Sequence, residues 1–208
     1  MGLGSEAIYP PLERGSCIMS HTRPRRRALG RLSASLVLGF AAVLSLAPAT
    51  QAATGPWLDV EKYYLGLMNC TRTGGWVKAD GSCRDRGSGK HSAYRAPLTR
   101  HKGISREVAR PYAKVYARHG TTSHYLDGSP LRRFTRAGYH PSAWGENIGR
   151  WSGDPFQAVL NVHRNYQREK SYNGIHWQNI KKKSLKTAGV GVWRRDGVTY
   201  LVVDFYTP

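Results

Sequence analysis

Two β-rich runs near the C-terminal end constrain the fold of this 208-residue chain most strongly. Residues 188–193 and 198–206 are rich in valine and aromatic residues, which favour strands. The dipeptide Asp196-Gly197 lies between them and is typical of tight hairpin turns. The sequence therefore predicts an antiparallel hairpin at this end of the chain.

Two helices are expected in the first half of the domain. Residues 58–68 have the apolar spacing of an amphipathic helix. Ser105 is the expected cap of a second helix, which ends at Gly120. Pro111 lies inside this second segment and should bend it or remove one of its hydrogen bonds.

Two more helices are expected before the hairpin. Ser129-Pro130 opens a short helix that stops at Gly138. Asp154-Pro155 opens a fourth, with one face formed by Phe156, Val159, Leu160 and His163. Helices followed by a terminal antiparallel hairpin indicate an α+β layered domain.

The first 52 residues have the features of an export signal. A basic cluster at 23–27 precedes the apolar run 32–46 and a segment of small residues that ends at Ala52. We expect cleavage after Ala52, which divides the chain into an N-terminal extension with export signal, 1–52, and a secreted domain, 53–208. A membrane anchor is the alternative, but the run contains serines and a glycine and is shorter than the about 20 residues that cross a bilayer. The mature protein is therefore expected to be extracellular, with no transmembrane anchor.

The cysteines agree with export. Cys17 lies in the extension, which leaves Cys70 and Cys83 as a pair in the secreted domain. In an oxidising compartment such a pair most simply forms a disulfide, worth about 3 kcal/mol on a chain-entropy estimate. Neither cysteine has a partner at zinc-site spacing, so a structural role is expected for both.

The chain is strongly basic, with 32 Lys and Arg residues against 13 Asp and Glu and a net charge of +19. Residues 53–208 keep 26 against 11, a net charge of +15. Basic clusters occur at 132–133, 181–183 and 194–195. Such a charge attracts polyanions, and an exported protein meets anionic lipid head groups and acidic cell-envelope polymers. No nucleic-acid-binding motif accompanies the charge, so no specific nucleic acid is expected. Solubility with weak surface adhesion is the simpler explanation.

Two histidines and two glutamates are the candidate site residues: His124, Glu146, Glu169 and His176. We expect His124 in a loop, Glu146 in a short extended segment, Glu169 at the end of the fourth helix and His176 in the loop before the hairpin. Functional residues are often found in such connections. Taken singly, each is explained as a solvated polar residue. Together they have the chemistry to bind a divalent metal or to act as acid and base.

The motifs around these residues resemble the CAP superfamily. This group includes cysteine-rich secretory proteins, insect antigen 5, plant pathogenesis-related class 1 proteins and bacterial SCP-like proteins. The resemblance covers about 58–208, in the order HYLDGSPLRRFTRAGY, WGENIG, a helix ending in aromatic-x-x-Glu, HWQNI, GVGVW and LVVDFY. The most specific pieces are residues 145–148 and the GVGVW to DFY ending.

The resemblance implies an α-β-α sandwich, in which a small antiparallel sheet lies between helical layers. It also implies a central cleft, whose tetrad of two histidines and two glutamates falls on His124, Glu146, Glu169 and His176. The family associations are with extracellular binding of sterols, fatty acids or other lipids and with partner recognition. We therefore expect a secreted binding protein with a lipid or an anionic cell-envelope polymer as its ligand.

The sequence departs from the family pattern at three places. Asn69 and Arg72 match an HNxxR segment of many members, but Met68 replaces its histidine. Tyr166 stands where a tryptophan is usual, three residues before the second glutamate. Ile175 is inserted between the glycine and the second histidine, which makes the placement of that histidine the weakest of the four.

The chemistry of the tetrad supports a divalent metal, zinc or a similar ion, at His124 and His176. Neutral imidazoles are strong ligands, and the carboxylates of Glu146 and Glu169 can orient the rings. The alternative function is a weak metal-dependent hydrolase acting on a peptide or a cell-wall component. In that case Glu146 would accept a proton from metal-bound water.

A serine nucleophile is the rival catalytic hypothesis. Ser123 and Ser129 flank His124, so a Ser-His-Glu arrangement can be drawn. No nucleophile-elbow sequence such as GxSxG surrounds either serine, however. Ser129 is better explained as a helix cap.

Six tryptophans could line an apolar groove for a lipid ligand. Trp193 and Tyr206, on the hairpin, are expected to pack in the core. Trp76, in a Gly-rich loop, and Trp151, after Gly149, are the expected exposed candidates.

Overall fold

The structure is a computed structural model that describes residues 57–208, within the second of two units of the chain, Pro48–Pro208. The export signal, its cleavage site and Cys17 lie outside the described residues. No helix in residues 57–208 is long and apolar enough to cross a membrane.

Most of the helices in the described chain lie where the sequence predicts them. They are α1 (Leu58–Arg72), α2 (Lys102–Ile104), α3 (Arg110–His119), α4 (Pro130–Arg136), α5 (Pro155–Arg168) and α6 (Ile175–Lys181). A π-helical turn, Ser105–Ala109, joins α2 to α3, and a 3-10 turn, Glu169–Tyr172, follows α5.

The two predicted side-chain caps of α4 and α5 are confirmed. The Ser129 hydroxyl accepts a hydrogen bond from the backbone of Arg132, and the Asp154 carboxylate accepts from Phe156 and Gln157. Each cap satisfies backbone donors that a helix leaves open in its first turn. On the expected face of α5, Val159, Leu160 and His163 are buried, whereas Phe156 is 42% exposed.

The second helix begins earlier than predicted, and Ser105 is not its cap. The ring Nδ1 of His101 accepts from the backbone N–H of Ile104 at 3.1 Å and caps α2 instead. Ser105 is buried one turn later, and its hydroxyl accepts from the backbone N–H of Val190 at 3.0 Å. The serine therefore joins the helix to the sheet.

Pro111 is accommodated by the π-helical turn before it. The N–H of Arg110 donates to the carbonyl of Ser105, five residues back, so the backbone is widened where a proline ring would meet the preceding turn. The helix then continues to Gly120, which ends it with a positive φ of 67°.

The strands form one sheet of four and one of two. β1 (Trp76–Val77) and β2 (Cys83–Arg84) make a short antiparallel pair. The larger sheet has the order β3-β5-β6-β4, with β3 (Thr99–Arg100), β4 (Ala143–Ser152), β5 (Thr187–Arg195) and β6 (Val198–Thr207). The sheet is antiparallel except that β3 pairs with β5 in parallel. The predicted hairpin is β5-β6, and Asp196 and Gly197 form its turn with φ values of 49° and 74°.

Alternate residues of β6 face two different helical layers. Leu201, Val203 and Phe205 belong to a core cluster with residues of α1 and α5. Tyr200 and Val202 belong to a second cluster with residues of α3. Because both faces of the sheet are covered by helices, the α+β prediction of an α-β-α sandwich is confirmed.

The predicted disulfide is confirmed and links α1 to β2 through Cys70 and Cys83. The bond holds the short β1-β2 pair against the end of α1. It therefore fixes a segment that has only two residues in each strand.

Candidate functional site

The first histidine and the first glutamate of the tetrad form a direct pair. His124 lies in the loop between α3 and α4, and Glu146 lies in β4, which is longer than the short segment predicted. The ring Nδ1 of His124 is 2.6 Å from Oε1 of Glu146. The glutamate side chain is 1% exposed and the histidine side chain is 36% exposed. The pair thus has a buried carboxylate and a solvent-facing ring.

A buried arginine of α4 completes this first pair. Arg133 donates from Nη2 to Oε2 of Glu146 and from Nη1 to the carbonyl oxygens of His124, at 2.9 Å, and Gly128, at 2.7 Å. Its guanidinium lies 3.4 Å from the ring centroid of Tyr112. In the sequence Arg133 is recognisable only as part of a basic cluster. Its position just before the buried Phe134 does not distinguish it from the exposed Arg132.

Tyr112 holds the loop that carries His124. Its hydroxyl donates to the carbonyl of Ser123 at 2.5 Å and accepts from the backbone N–H of Leu126 at 3.3 Å. Burial raises the pKa of Tyr112 to about 12, so the hydroxyl keeps its proton. The loop is therefore fixed on both sides of the histidine.

Asp204 is a buried acid that sequence reasoning missed. It is the register partner of Glu146 across β4 and β6 and is fully buried. Burial, followed by the charge of Glu146, raises the pKa of Asp204 well above its usual range. No N–H or O–H of residues 57–208 donates to its oxygens. A protonated Asp204 is therefore favoured, and its O–H can donate to Glu146.

The second histidine and the second glutamate form an equivalent pair. The ring Nδ1 of His176 is 2.6 Å from Oε1 of Glu169, which begins the 3-10 turn after α5. His176 lies in α6, not in the predicted loop. The inserted Ile175 is the first residue of this helix and is 61% exposed.

Glu169 also acts as the cap of α6. Its Oε2 accepts from the backbone N–H groups of His176, at 3.0 Å, and Trp177, at 3.3 Å. These are donors of the first helical turn that the N-cap residue, Gly174, has no side chain to satisfy. A Cβ at Gly174 would lie 2.5 Å from Oε2 of Glu169, so glycine permits the approach of the carboxylate.

Tyr166 supports the His176 ring from one face. The two rings are stacked, with centroids 4.2 Å apart and planes at 13°. The Tyr166 hydroxyl donates to the carbonyl of Ile148 at 2.5 Å. The tyrosine in place of the usual tryptophan therefore keeps an aromatic contact and adds a hydrogen bond to β4.

Both pairs are connected to β4, an edge strand of the sheet. Asn147 donates to the carbonyl of His176 at 3.1 Å. Asn179 donates to the side chain of Asn147 at 2.8 Å and to the carbonyl of Glu146 at 3.2 Å. Residues 146–148 thus contact both histidines or the residues that pack against them.

The free nitrogen of each ring decides what the pairs can bind. Each Nδ1 faces a carboxylate, so it carries the proton of a neutral ring and leaves the Nε2 lone pair available. Within residues 57–208, no group of three or more His, Cys, Asp or Glu side chains is arranged to hold a metal. Each ring therefore has one nitrogen, Nε2, that is free to act as a ligand.

Other predicted residues have structural partners. Arg72 is buried and donates to four carbonyl oxygens, those of Ala96, Ile180, Lys182 and Leu185. Asn69 exchanges two hydrogen bonds with the backbone of Leu98. The Ser123 hydroxyl accepts from the backbone of Tyr125, and Ser129 caps α4. These serines have backbone partners, which weakens the serine-nucleophile hypothesis.

The tryptophan expectations are met in part. Trp151 is 42% exposed, whereas Trp76 is half-buried beside His91, with ring centroids 5.9 Å apart. Tyr206 packs in the core as expected. Trp193 is only partly buried, with the Lys114 ammonium 5.0 Å from its ring.

Solved structures that are similar to this chain include an extracellular protein containing an SCP domain from Bacillus anthracis. It is 17% identical over 55% of this chain and 35% of its own length, with a TM-score of 0.46. The chain is similar to SCP-domain proteins. It spans about a third of the length of this relative.

Two further solved structures are similar at the same low level. NaASP2, crystallised with Zn²⁺, is 15% identical over 73% of this chain and 81% of its own, with a TM-score of 0.49. The hookworm platelet inhibitor is 15% identical over 72% and 69%, with a TM-score of 0.33. No protein-family model and no curated protein matches the sequence. The function proposed for this domain therefore rests on its sequence motifs and on the geometry of the site.

Proposed function

We propose that this CAP-like domain is an extracellular binding protein that holds a divalent metal, zinc or a similar ion, through Nε2 of His124 and Nε2 of His176. The observation that carries the proposal is the 2.6 Å contact between each ring Nδ1 and a glutamate oxygen. A carboxylate at Nδ1 fixes the tautomer and raises the basicity of the other nitrogen. The extracellular location is supported by the leader and by the disulfide.

Glu146 is better suited to orient a ring than to act as a base. One of its oxygens faces His124 and the other accepts from Arg133, and the side chain is almost completely buried. A general base needs a free oxygen within reach of the reacting proton. The geometry therefore favours metal and ligand binding over the metal-dependent hydrolase.

Isothermal calorimetry with Zn²⁺ tests the proposal. The wild-type protein should bind one equivalent, and the double variant His124→Ala/His176→Ala should show no binding heat. The matched control is His119→Ala/His140→Ala, which removes two exposed imidazoles elsewhere and should bind as the wild type does. Equal heats in the wild type and the His124/His176 variant would overturn the proposal.

A second variant tests the role of the carboxylates. Glu169→Gln keeps the size of the side chain but removes the negative charge at Nδ1 of His176. Loss of such a partner typically weakens metal binding by about 10- to 100-fold. We expect a weakening in this range by the same calorimetry, and an unchanged affinity would show that Glu169 only caps α6.

A further inference from the structure

A cavity of about 270 Å³ lies between the β1-β2 pair and the last two turns of α5. Its lining shares no residue with the two His–Glu pairs and consists of Trp76, Val77, Lys78, Ala79, Arg84, Arg164, Gln167 and Arg168. Sites for small molecules usually measure about 300–1,000 Å³. A cavity just below this range suits a ligand of one or two rings.

The floor of the cavity is fixed by a buried amide. Gln167 donates from Nε2 to the carbonyl of Val77 at 3.0 Å and accepts from its N–H at 2.9 Å. The Cys70–Cys83 disulfide holds the adjoining β2 strand on α1. Because the floor is bound by two hydrogen bonds and the wall by a covalent link, a ligand would meet a preformed surface.

Four cations line the cavity, and none of its lining residues is acidic. Lys78 is 3.8 Å from Asp80, and Arg84 is 3.6 Å from Asp85, so these two charges are partly compensated. Arg164 and Arg168 form no ion pair among residues 57–208. Arg168 instead donates to the neutral side chain of Asn165 at 2.9 Å. Two guanidinium groups are thus left to bind an anion, for which their planar donor geometry is suited.

Trp76 adds a flat apolar wall beside these cations. It is half-buried, and its ring centroid lies 5.9 Å from that of the neighbouring His91 ring. An indole face packs against the flat apolar face of a ring, whereas a simple inorganic anion would not use it. The combination of an indole with guanidinium groups therefore favours an anion that carries a ring over a simple inorganic anion.

We propose that this cavity binds an anionic saccharide, with Arg164 and Arg168 on its carboxylate or phosphate and Trp76 on its sugar ring. The proposal is independent of the metal site, because the two sites share no residue. On this proposal the basic protein attaches to an anionic saccharide at one cavity, and not by diffuse adhesion of its charged surface.

The test measures binding by calorimetry at low ionic strength. Digalacturonate is the carboxylate probe, glucose 6-phosphate is the phosphate probe, and maltose and glucose are their neutral references. We expect at least one anionic probe to bind the wild type and its neutral reference not to bind. Loss of two charge-assisted contacts in Arg164→Gln/Arg168→Gln should weaken that binding by about tenfold or more. Trp76→Ala should weaken it several-fold.

The matched control is Arg194→Gln/Arg195→Gln, which removes the same charge from exposed positions on the hairpin. It should change the affinity less than twofold. Equal losses in both double variants, no binding of either anionic probe, or equal binding of a neutral reference would overturn the proposal. An unchanged affinity in Trp76→Ala would overturn the assignment of a sugar ring.

A measurement on the wild type tests the same site without depending on whether the variants fold. The indole N–H resonance of Trp76 should shift on addition of the binding probe, while that of Trp151, which is exposed on β4, should not. Equal shifts of both resonances, or a shift of Trp151 alone, would contradict binding at this cavity.

Discussion

The two His–Glu pairs have the same Nδ1-to-carboxylate distance of 2.6 Å, but different surroundings hold them together. His124 and Glu146 are 22 residues apart, and the buried Arg133 neutralises the glutamate. His176 and Glu169 are only seven residues apart, and backbone N–H groups of α6 bind the glutamate. The first pair depends on a buried charge contact between α4 and β4, and the second on the start of one short helix.

Two pairs with the same contact geometry can therefore differ in how much their loss destabilises the protein. Breaking a buried ion pair leaves an uncompensated charge in the core. Removing a helix cap exposes one or two backbone donors that water can reach. Damage to the first pair should therefore destabilise the whole domain, whereas damage to the second should remain local.

Arg133→Ala should have the largest effect on stability. The substitution leaves the buried Glu146 without its cation, and such losses cost about 3–5 kcal/mol. Urea unfolding of the wild type and variant measures the difference. Arg132→Ala removes the neighbouring exposed arginine and should stay within about 0.5 kcal/mol. Equal losses in the two variants would contradict a special role for Arg133.

Asp204→Asn should change how stability depends on pH. Because the pKa of Asp204 is raised on folding, the folded protein binds a proton that the unfolded chain releases above its ordinary pKa of 3.8. The wild type therefore loses stability as pH rises from about 4 towards the folded pKa, by up to about 1.4 kcal/mol per pH unit.

The asparagine variant lacks this loss, so its stability relative to the wild type should increase from pH 4 upward. Urea midpoints at pH 4, 5.5 and 7 measure the trend. The control Asp196→Asn changes an exposed turn carboxylate and should follow the wild type. Parallel curves for Asp204→Asn and the wild type would rule out a protonated Asp204.

Glu169→Ala should cost less than Arg133→Ala. It removes the cap of α6 and the partner of His176, and losses of this kind are about 1–2 kcal/mol. Urea unfolding measures the change, with Asp59→Ala as a control for an exposed first-turn carboxylate. A loss as large as that of Arg133→Ala would contradict the local character of the second pair.

Tyr166→Phe should have the smallest effect of the four. It removes the hydrogen bond to Ile148 but keeps the ring stacked on His176, so we expect a loss of about 1 kcal/mol. Its Zn²⁺ affinity should stay within twofold of the wild type. A much weaker affinity would mean that the hydroxyl, and not the ring, positions His176.

Local signals explain which parts of the fold were predictable. Asp196-Gly197, Ser129 and Asp154 each specify a turn or a cap within a few residues, and the structure confirms all three. Helix α6 has only seven residues, and its cap comes from Glu169, outside the helix. Because no capping side chain stands next to the helix in the sequence, the sequence predicts a loop at His176.

The supports of the site were unpredictable for a related reason. In the sequence, Asp204 is one polar position in a β-rich run, and Arg133 is half of a basic dipeptide. Only the pairing of β4 with β6 places Asp204 beside Glu146, and only the packing of α4 buries Arg133 there. Long-range packing of this kind leaves no local pattern. The motifs around each member indicate the four residues, and the structure shows that His124 contacts Glu146 and His176 contacts Glu169.

A crystal structure of the wild-type protein grown with Zn²⁺, with anomalous data at the zinc edge, tests the central claim most directly. The account predicts one anomalous peak within about 2.0–2.1 Å of Nε2 of both His124 and His176. Both Nδ1 atoms should keep their contacts with Glu146 and Glu169. Separate peaks at the two histidines, or zinc bound only elsewhere, would contradict the account.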